Sequence, residues 1–303
     1  MSRIYRALKK SEESQPNLMV ELIDADQGSR AAPGEANGVV LSPPERSITP
    51  VVAPSAPLTR QIDSGQDYRV VPLRIPADVP VLPFDGTDNK VAEQYRMLRT
   101  NLLQHPAKPR LVAVTSATSG DGKTLTAINL AATLALKGDL RVLIVDADMR
   151  RASIAAAMGI DASRGLGRVL RRECSLRDAI VRVEQIPSLY VLPALREESN
   201  PAELLDSVRC REVFAELLEQ FSYVFVDTTP VSAVADFKLI HQLCQGTLMV
   251  VRPDLTKRAA FLNALQVEIK DKLLGVVLNA YSDWFLWQTQ GDYSNYYGQP
   301  KRE

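Results

Sequence analysis

The chain has 303 residues and zero formal net charge, with 36 Lys plus Arg against 36 Asp plus Glu. Apolar residues make up 46% and charged residues 24%, the balance of a globular protein, and a neutral chain lacks the basic footprint of broad nucleic-acid binding. Cys174, Cys210 and Cys244 form no CxxC pair, and His105 and His241 have no ligand spacing, which argues against a disulfide scaffold or a zinc site.

Residues 1–14 read MSRIYRALKKSEES, with Ile4 and Leu8 four apart among Arg3, Arg6, Lys9 and Lys10. They form a short basic amphipathic segment. It is either a membrane or partner contact or a solvated terminus, because isolated helices this short are marginal in water. No apolar stretch of signal-peptide type follows it. The longest uncharged apolar run, Leu125 to Leu136, falls far short of the roughly 20 residues that span a bilayer. Residues 15–89 read as a Pro-rich flexible linker, mostly extended; ten of the 19 prolines lie between Pro33 and Pro83. Within it, Val70 to Phe84 is apolar enough to dock on a core.

A folded domain is expected over residues 90–287. It opens on a helix, VAEQYRMLRTNLL, with Tyr95, Leu98 and Leu102 on one side. Strands are expected at Arg110–Thr115, Val142–Asp146, Leu189–Leu192, Tyr223–Asp227, Thr247–Arg252 and Leu274–Asn279. The clearest helices between them are Lys123–Lys137, Ser207–Phe221, Ala233–Leu243 and Thr256–Ile269. Continuous apolar strands alternating with helices predict an α/β fold, a mostly parallel sheet flanked by helices on both faces.

The first strand runs into Ala117-Thr-Ser119-Gly120-Asp121-Gly122-Lys123-Thr124-Leu125. This is the phosphate-loop pattern GxxxxGK[ST] with alanine in the first glycine's place. Gly120 and Gly122 let backbone N–H groups turn toward phosphates, and the next helix aims its positive end at the same anion. Lys123 suits the β- and γ-phosphates, and Thr124 suits Mg²⁺. Two further strands end in acid, LIVD146-A-D148-M-R150 and VFVD227-T-T-P230. Ligands of open α/β sheets bind at the carboxyl ends of strands, so the loop and Asp146, Asp148 and Asp227 should share one crevice. Buried carboxylates there need a cation or hydrogen bonds to offset desolvation, and Mg²⁺ fits that need.

Together these segments resemble the bacterial tyrosine kinases of capsule and exopolysaccharide synthesis, phosphate-loop proteins related to the partition and division ATPases. Further segments carry the likeness. Glu93-Gln-Tyr-Arg96-Met-Leu-Arg99 resembles the ExxRxxR oligomerisation motif, and Asn200-Pro-Ala-Glu-Leu-Leu205 the NPxELL segment. Leu274-Gly-Val-Val-Leu-Asn279 resembles the strand whose asparagine contacts adenine. Tyr281, Tyr293, Tyr296 and Tyr297 resemble a C-terminal tyrosine cluster, and MSRIYRALKK the start of the exosortase-associated subgroup. The chain departs from the family in Arg151-Ala152 for Arg-Pro, DTTP for DTPP, and only three tyrosines in its last eleven residues.

The resemblance implies ATP and Mg²⁺ as cofactors, with nucleotide at Ser119, Gly120, Asp121, Gly122, Lys123, Thr124, Leu125 and Asn279. It implies metal at Thr124, Asp146, Asp148 and Asp227, and catalysis by Lys123 and the three aspartates. Asp146 is the first choice as proton acceptor and Asp148 the second. Tyr293, Tyr296 and Tyr297, in a tail over residues 288–303, are the expected phosphoacceptors. From Asn279 to Tyr293 the chain can span at most about 46–50 Å, so transfer within or between subunits is possible. The resemblance favours neighbours in a homo-oligomeric ring, with Glu93, Arg96 and Arg99 at the contact. It implies a chain-length-determinant (polysaccharide co-polymerase) membrane protein as activator, protein-tyrosine substrates and no nucleic-acid partner. The place implied is cytoplasmic, peripheral to the inner membrane. Trp284, Phe285, Leu286 and Trp287 are either an interface or a patch packed on the core. The alternatives are a positioning ATPase of the partition and division type, or a non-catalytic nucleotide-binding subunit of the export complex.

Overall fold

In a computed structural model, the described residues are 19–24, 68–76, 79–81, 90–195, 200–231, 235–265 and 269–281. Residues 1–14, the cluster from Trp284 to Trp287, and Tyr293, Tyr296 and Tyr297 lie outside them.

Among the described residues the sheet has nine strands: β1 (Met19–Asp24), β2 (Arg69–Val71), β3 (Leu111–Ser116), β4 (Val142–Asp146), β5 (Val181–Val183), β6 (Leu189–Leu192), β7 (Tyr223–Asp227), β8 (Gly246–Val251) and β9 (Leu273–Tyr281). Their order is β1-β9-β8-β3-β7-β4-β6-β5-β2. All neighbours pair in parallel except β5 and β6. The six expected strands are present, three of them with the expected ends.

The helices are α1 (Lys90–Gln104), α2 (Lys123–Ala135), α3 (Ile154–Met158), α4 (Leu166–Leu170), α5 (Leu176–Ala179), α6 (Pro201–Asp206), α7 (Val208–Gln220), α8 (Asp236–Leu243) and α9 (Arg258–Asn263). Successive strand residues point to opposite faces, and the core divides accordingly. Val112, Val114, Val142, Ile144 and Phe225 pack with Tyr95, Leu98 and Leu102 of α1 and the buried face of α2. Leu111, Ala113, Leu143, Val145, Val224 and Val226 pack with Cys210, Val213, Phe214 and Leu217 of α7 on the other side. Helix α2 is enclosed along nearly its whole length, from Thr126 to Ala135. That is why its sequence is apolar all round and rich in alanine, leucine and isoleucine.

Two pieces of the stretch expected to be linker belong to this sheet. Strand β1 adds to the edge of β9, and β2 to β5. Residues 68–76 and 79–81 dock as the apolar content of Val70 to Phe84 suggested, with Tyr68, Val71 and Val81 buried. Tyr68 stands edge-on to Tyr190 at 5.2 Å, and both rings flank the Arg141 guanidinium, at 5.6 and 5.0 Å. Strand β2 has only three residues, too few to show a period among prolines, and β1, MVELID, mixes acids into its apolar residues.

The strand order places β3, β7 and β4 side by side at the middle of the sheet. Asp146 and Asp227 are register partners across β4 and β7. No helix of the described residues is long and apolar enough to cross a membrane.

Candidate functional site

The loop between β3 and α2 bends at Gly120 and Gly122, with φ of +91° and +93°. A Cβ on Gly122 would lie 1.9 Å from Asn279 Nδ2, so only glycine admits the neighbouring side chain. The loop is held from inside. Asp121 Oδ2 accepts from the Thr118 N–H at 2.9 Å, and Asp121 Oδ1 accepts from the Thr256 hydroxyl at 2.8 Å. Burial raises the Asp121 carboxyl pKa, and the Thr118 N–H opposes that shift. Asn279 donates its amide to the Asp121 carbonyl at 2.9 Å. The residue implied to touch adenine therefore also braces the phosphate loop. Gly122→Ala should displace Asn279 and force a left-handed alanine. The expected loss of nucleotide affinity is about 100-fold, or about 2.8 kcal/mol, measured by titration with a fluorescent nucleotide.

Lys123 opens α2 and lies among the acids. Its Nζ is 3.0 Å from Asp148 Oδ2 and 3.5 Å from Asp227 Oδ1. Burial opposes its charge, yet Asp227 and Asp148 more than reverse this and hold the ammonium above its ordinary range. The Thr124 hydroxyl donates to Asp227 Oδ2 at 2.6 Å and lies 3.1 Å from Ser153 Oγ. Asp227 is fully buried; burial raises its pKa and Lys123 opposes that.

Asp146 Oδ2 accepts from the backbone N–H groups of Ser153 and Ile154, at 2.9 and 3.1 Å. It thereby caps the first turn of α3. Its Oδ1 is buried with no hydrogen-bond partner among the described residues. Burial and the Asp227 charge push the Asp146 pKa up to about 8. Asp148 Oδ1 accepts from the Arg151 N–H at 3.1 Å, so both of its oxygens are engaged.

The expected acids, lysine and threonine thus meet at one point. Among the described residues, no three His, Cys, Asp or Glu side chains form an all-protein metal cage. Mg²⁺ takes few carboxylates and keeps phosphate and water oxygens. The Thr124 hydroxyl, Asp227 and the unpartnered Asp146 Oδ1 are a fitting oxygen set. Sequence reasoning missed Ser153, Thr256 and Asp236. Asp236 receives Arg150 through both oxygens, at 2.6 and 3.1 Å, across 86 positions of chain; spacing carries no signal for it.

The residues of the expected oligomer contact have neighbours within the chain. Arg96 Nη1 is 2.7 Å from Glu93 Oε2 on the exposed side of α1. Arg99 donates to the Thr133 carbonyl at 3.2 Å, tying α1 to α2.

A family model described as an AAA domain matches residues 109–243. Tyrosine-protein kinase YwqD of Bacillus subtilis (strain 168) is 34% identical over 192 residues, covering 62% of this chain and 80% of YwqD. Tyrosine-protein kinase CpsD of Streptococcus agalactiae is 29% identical over 210 residues, covering 68% of this chain and 90% of CpsD. Among solved structures, the chimerical protein CapA2B2 superposes with a TM-score of 0.62 at 27% identity, covering 73% of this chain and 98% of that one. A phosphate loop facing two acid-ended strands, in a chain this close to YwqD over most of that protein's length, leads to one conclusion: the chain belongs to the bacterial tyrosine-protein kinase family.

Proposed function

We propose that the chain is an ATP-dependent protein-tyrosine autokinase that regulates capsule or exopolysaccharide polymerisation and export. It transfers the γ-phosphoryl group of ATP to Tyr293, Tyr296 and Tyr297, between subunits of a ring in which Glu93, Arg96 and Arg99 meet a neighbour. The observation that carries the reading is the meeting of Lys123 with Asp148 and Asp227 at the mouth of the phosphate loop, in a chain related to named tyrosine kinases.

Phosphoryl transfer asks a protein mainly for positioning and charge stabilisation. The loop from Ser119 to Leu125 holds the phosphates with its N–H groups, and Lys123 carries charge that develops on the γ-phosphoryl oxygens. Asn279 borders the adenine. Thr124, Asp227, Asp146 and Asp148 would hold Mg²⁺, which would supply positive charge against the phosphates. A tyrosine hydroxyl, with a pKa of about 10, is scarcely ionised at neutral pH. Asp146, with its buried Oδ1 free of any hydrogen-bond partner among the described residues, is placed to accept that proton once a neighbouring cation holds it ionised. Asp148 has both oxygens occupied, which supports ranking it second.

We assign the chain to the cytoplasm, at the inner membrane, bound to a chain-length-determinant protein that activates it. The basic sequence of residues 1–14 is our candidate for that contact. The test compares the full chain with a variant carrying Phe at positions 293, 296 and 297, each given Mg²⁺-ATP and a cytoplasmic fragment of such a partner. The variant should lose most phosphotyrosine and keep its nucleotide affinity. Equal phosphotyrosine in both would remove the tail from the mechanism. ATP hydrolysis without phosphotyrosine in either would favour a positioning ATPase.

A further inference from the structure

Two adjacent arginines follow β4, and they are held differently. Arg150 is committed to Asp236 at the start of α8, through Nε and Nη2. Arg151 faces the phosphate loop. Its backbone N–H donates to Asp148 Oδ1 at 3.1 Å, so it is rooted on the carboxylate that pairs with Lys123 at 3.0 Å. Its exposed side chain reaches the loop, with Nη1 3.4 Å from Ser119 Oγ. Ser119 and Gly120 are the exposed residues of that loop, while Asp121 is buried within it.

Charge balance gives this placement a purpose. Asp146, Asp148 and Asp227 are buried around one ammonium among the described residues, that of Lys123. Phosphate groups entering such a site bring further negative charge. A guanidinium offers five donors in a planar fork that matches phosphate oxygens. One that swings on an anchored backbone can follow those oxygens as charge builds on them.

We propose that Arg151 is a catalytic arginine supplied by the same chain, its guanidinium binding the γ-phosphoryl oxygens of ATP in the loop during transfer. The inference rests on the kinase reading above. In the step, the bond from the γ-phosphorus to the bridging oxygen breaks and its electron pair stays on ADP. A bond forms from the tyrosine oxygen to the γ-phosphorus, and the tyrosine proton passes to a carboxylate. The guanidinium keeps its protons and changes only its hydrogen bonds. Arg150, held by Asp236, positions the segment that carries it.

The test uses the full chain as wild type, Arg151→Ala and Arg151→Lys, each with saturating Mg²⁺-ATP and the cytoplasmic activating fragment. Phosphotyrosine formation and ATP hydrolysis are followed in the same single-turnover reaction, and ADP affinity is measured separately. Arg151→Ala should slow transfer by about 100- to 1,000-fold with ADP affinity unchanged, and free guanidinium ion should restore part of the rate. Arg151→Lys should stay slow, because one ammonium cannot reproduce the fork. An unchanged rate, or an ADP affinity that falls in step with the rate, would overturn the role. If the wild type hydrolyses ATP without forming phosphotyrosine, the kinase reading fails alone and the arginine is read on hydrolysis. A wild type inert toward both acceptors overturns both.

Discussion

Replacing Lys123 by methionine should abolish phosphotyrosine formation and loosen the fold in the same stroke. The ammonium is the positive charge lying directly between Asp148 and Asp227. Without it, phosphoryl oxygens lose a preorganised donor in a water-poor site, a loss worth about 100- to 1,000-fold in rate for a single donor. The acids also lose their partner. Removing one member of a buried ion pair costs about 3 kcal/mol, and part of this is recovered when a carboxyl takes up a proton instead. Denaturant unfolding of the nucleotide-free variant should therefore show a lower midpoint at neutral pH, and a smaller difference in acid. Equal stability at both pH values would mean that the ammonium is not coupled to these carboxylates.

The second large effect is a dependence on pH opposite to that of a surface aspartate. Asp146 ionises near 3.8 in a model peptide and near 8 in the folded chain. Between those values the folded chain holds a proton that the unfolded chain has released. Stability therefore falls as pH rises through this window. Asp227 is shifted in the same direction and adds to the slope. The thiols of Cys210 and Cys244, pushed up to about 12 by burial, do not titrate there. Thermal or denaturant unfolding of the nucleotide-free chain from pH 5 to pH 8 should show the decline. Asp146→Asn should flatten it, and so should Mg²⁺ with ADP, because a cation beside the carboxylates favours their charged form. A wild-type slope of the reverse sign would contradict the buried acid pair.

The parts of the molecule readable in the sequence share one physical cause. Strands β3, β4, β6, β7 and β8 are covered on both faces, and burial on both faces makes a strand a continuous apolar run. Helix α2 follows directly from the loop that caps it. An acid closing a buried strand is conspicuous, so Asp146 and Asp227 stood out. The short helices α3 to α5 are only four or five residues long, too short to show a 3.6-residue period. Strand β2, three residues long among prolines, is too short to show alternation, and β1, MVELID, carries two acids and so is no continuous apolar run. Contacts that depend on distant chain were silent. The Thr256 hydroxyl reaches Asp121 from 135 positions away, and nothing in the composition around Thr256 marks it. Ser153 sits beside Thr124 because α3 is capped by Asp146, an arrangement visible only after folding.

These contacts change how the phosphate loop is understood. Its glycines permit the turn, but Asp121, Thr256 and Asn279 fix it from below. The loop is thus coupled to the ends of β8 and β9. In sequence, the tyrosines of the tail follow β9, the strand that carries Asn279.

The most direct measurement is phosphopeptide mapping of the purified full chain after incubation with Mg²⁺-ATP and the activating fragment. The predicted result is phosphate on Tyr293, Tyr296 and Tyr297 in the wild type and none in Lys123→Met. Phosphate absent from every tyrosine of a chain that binds and hydrolyses ATP would contradict it.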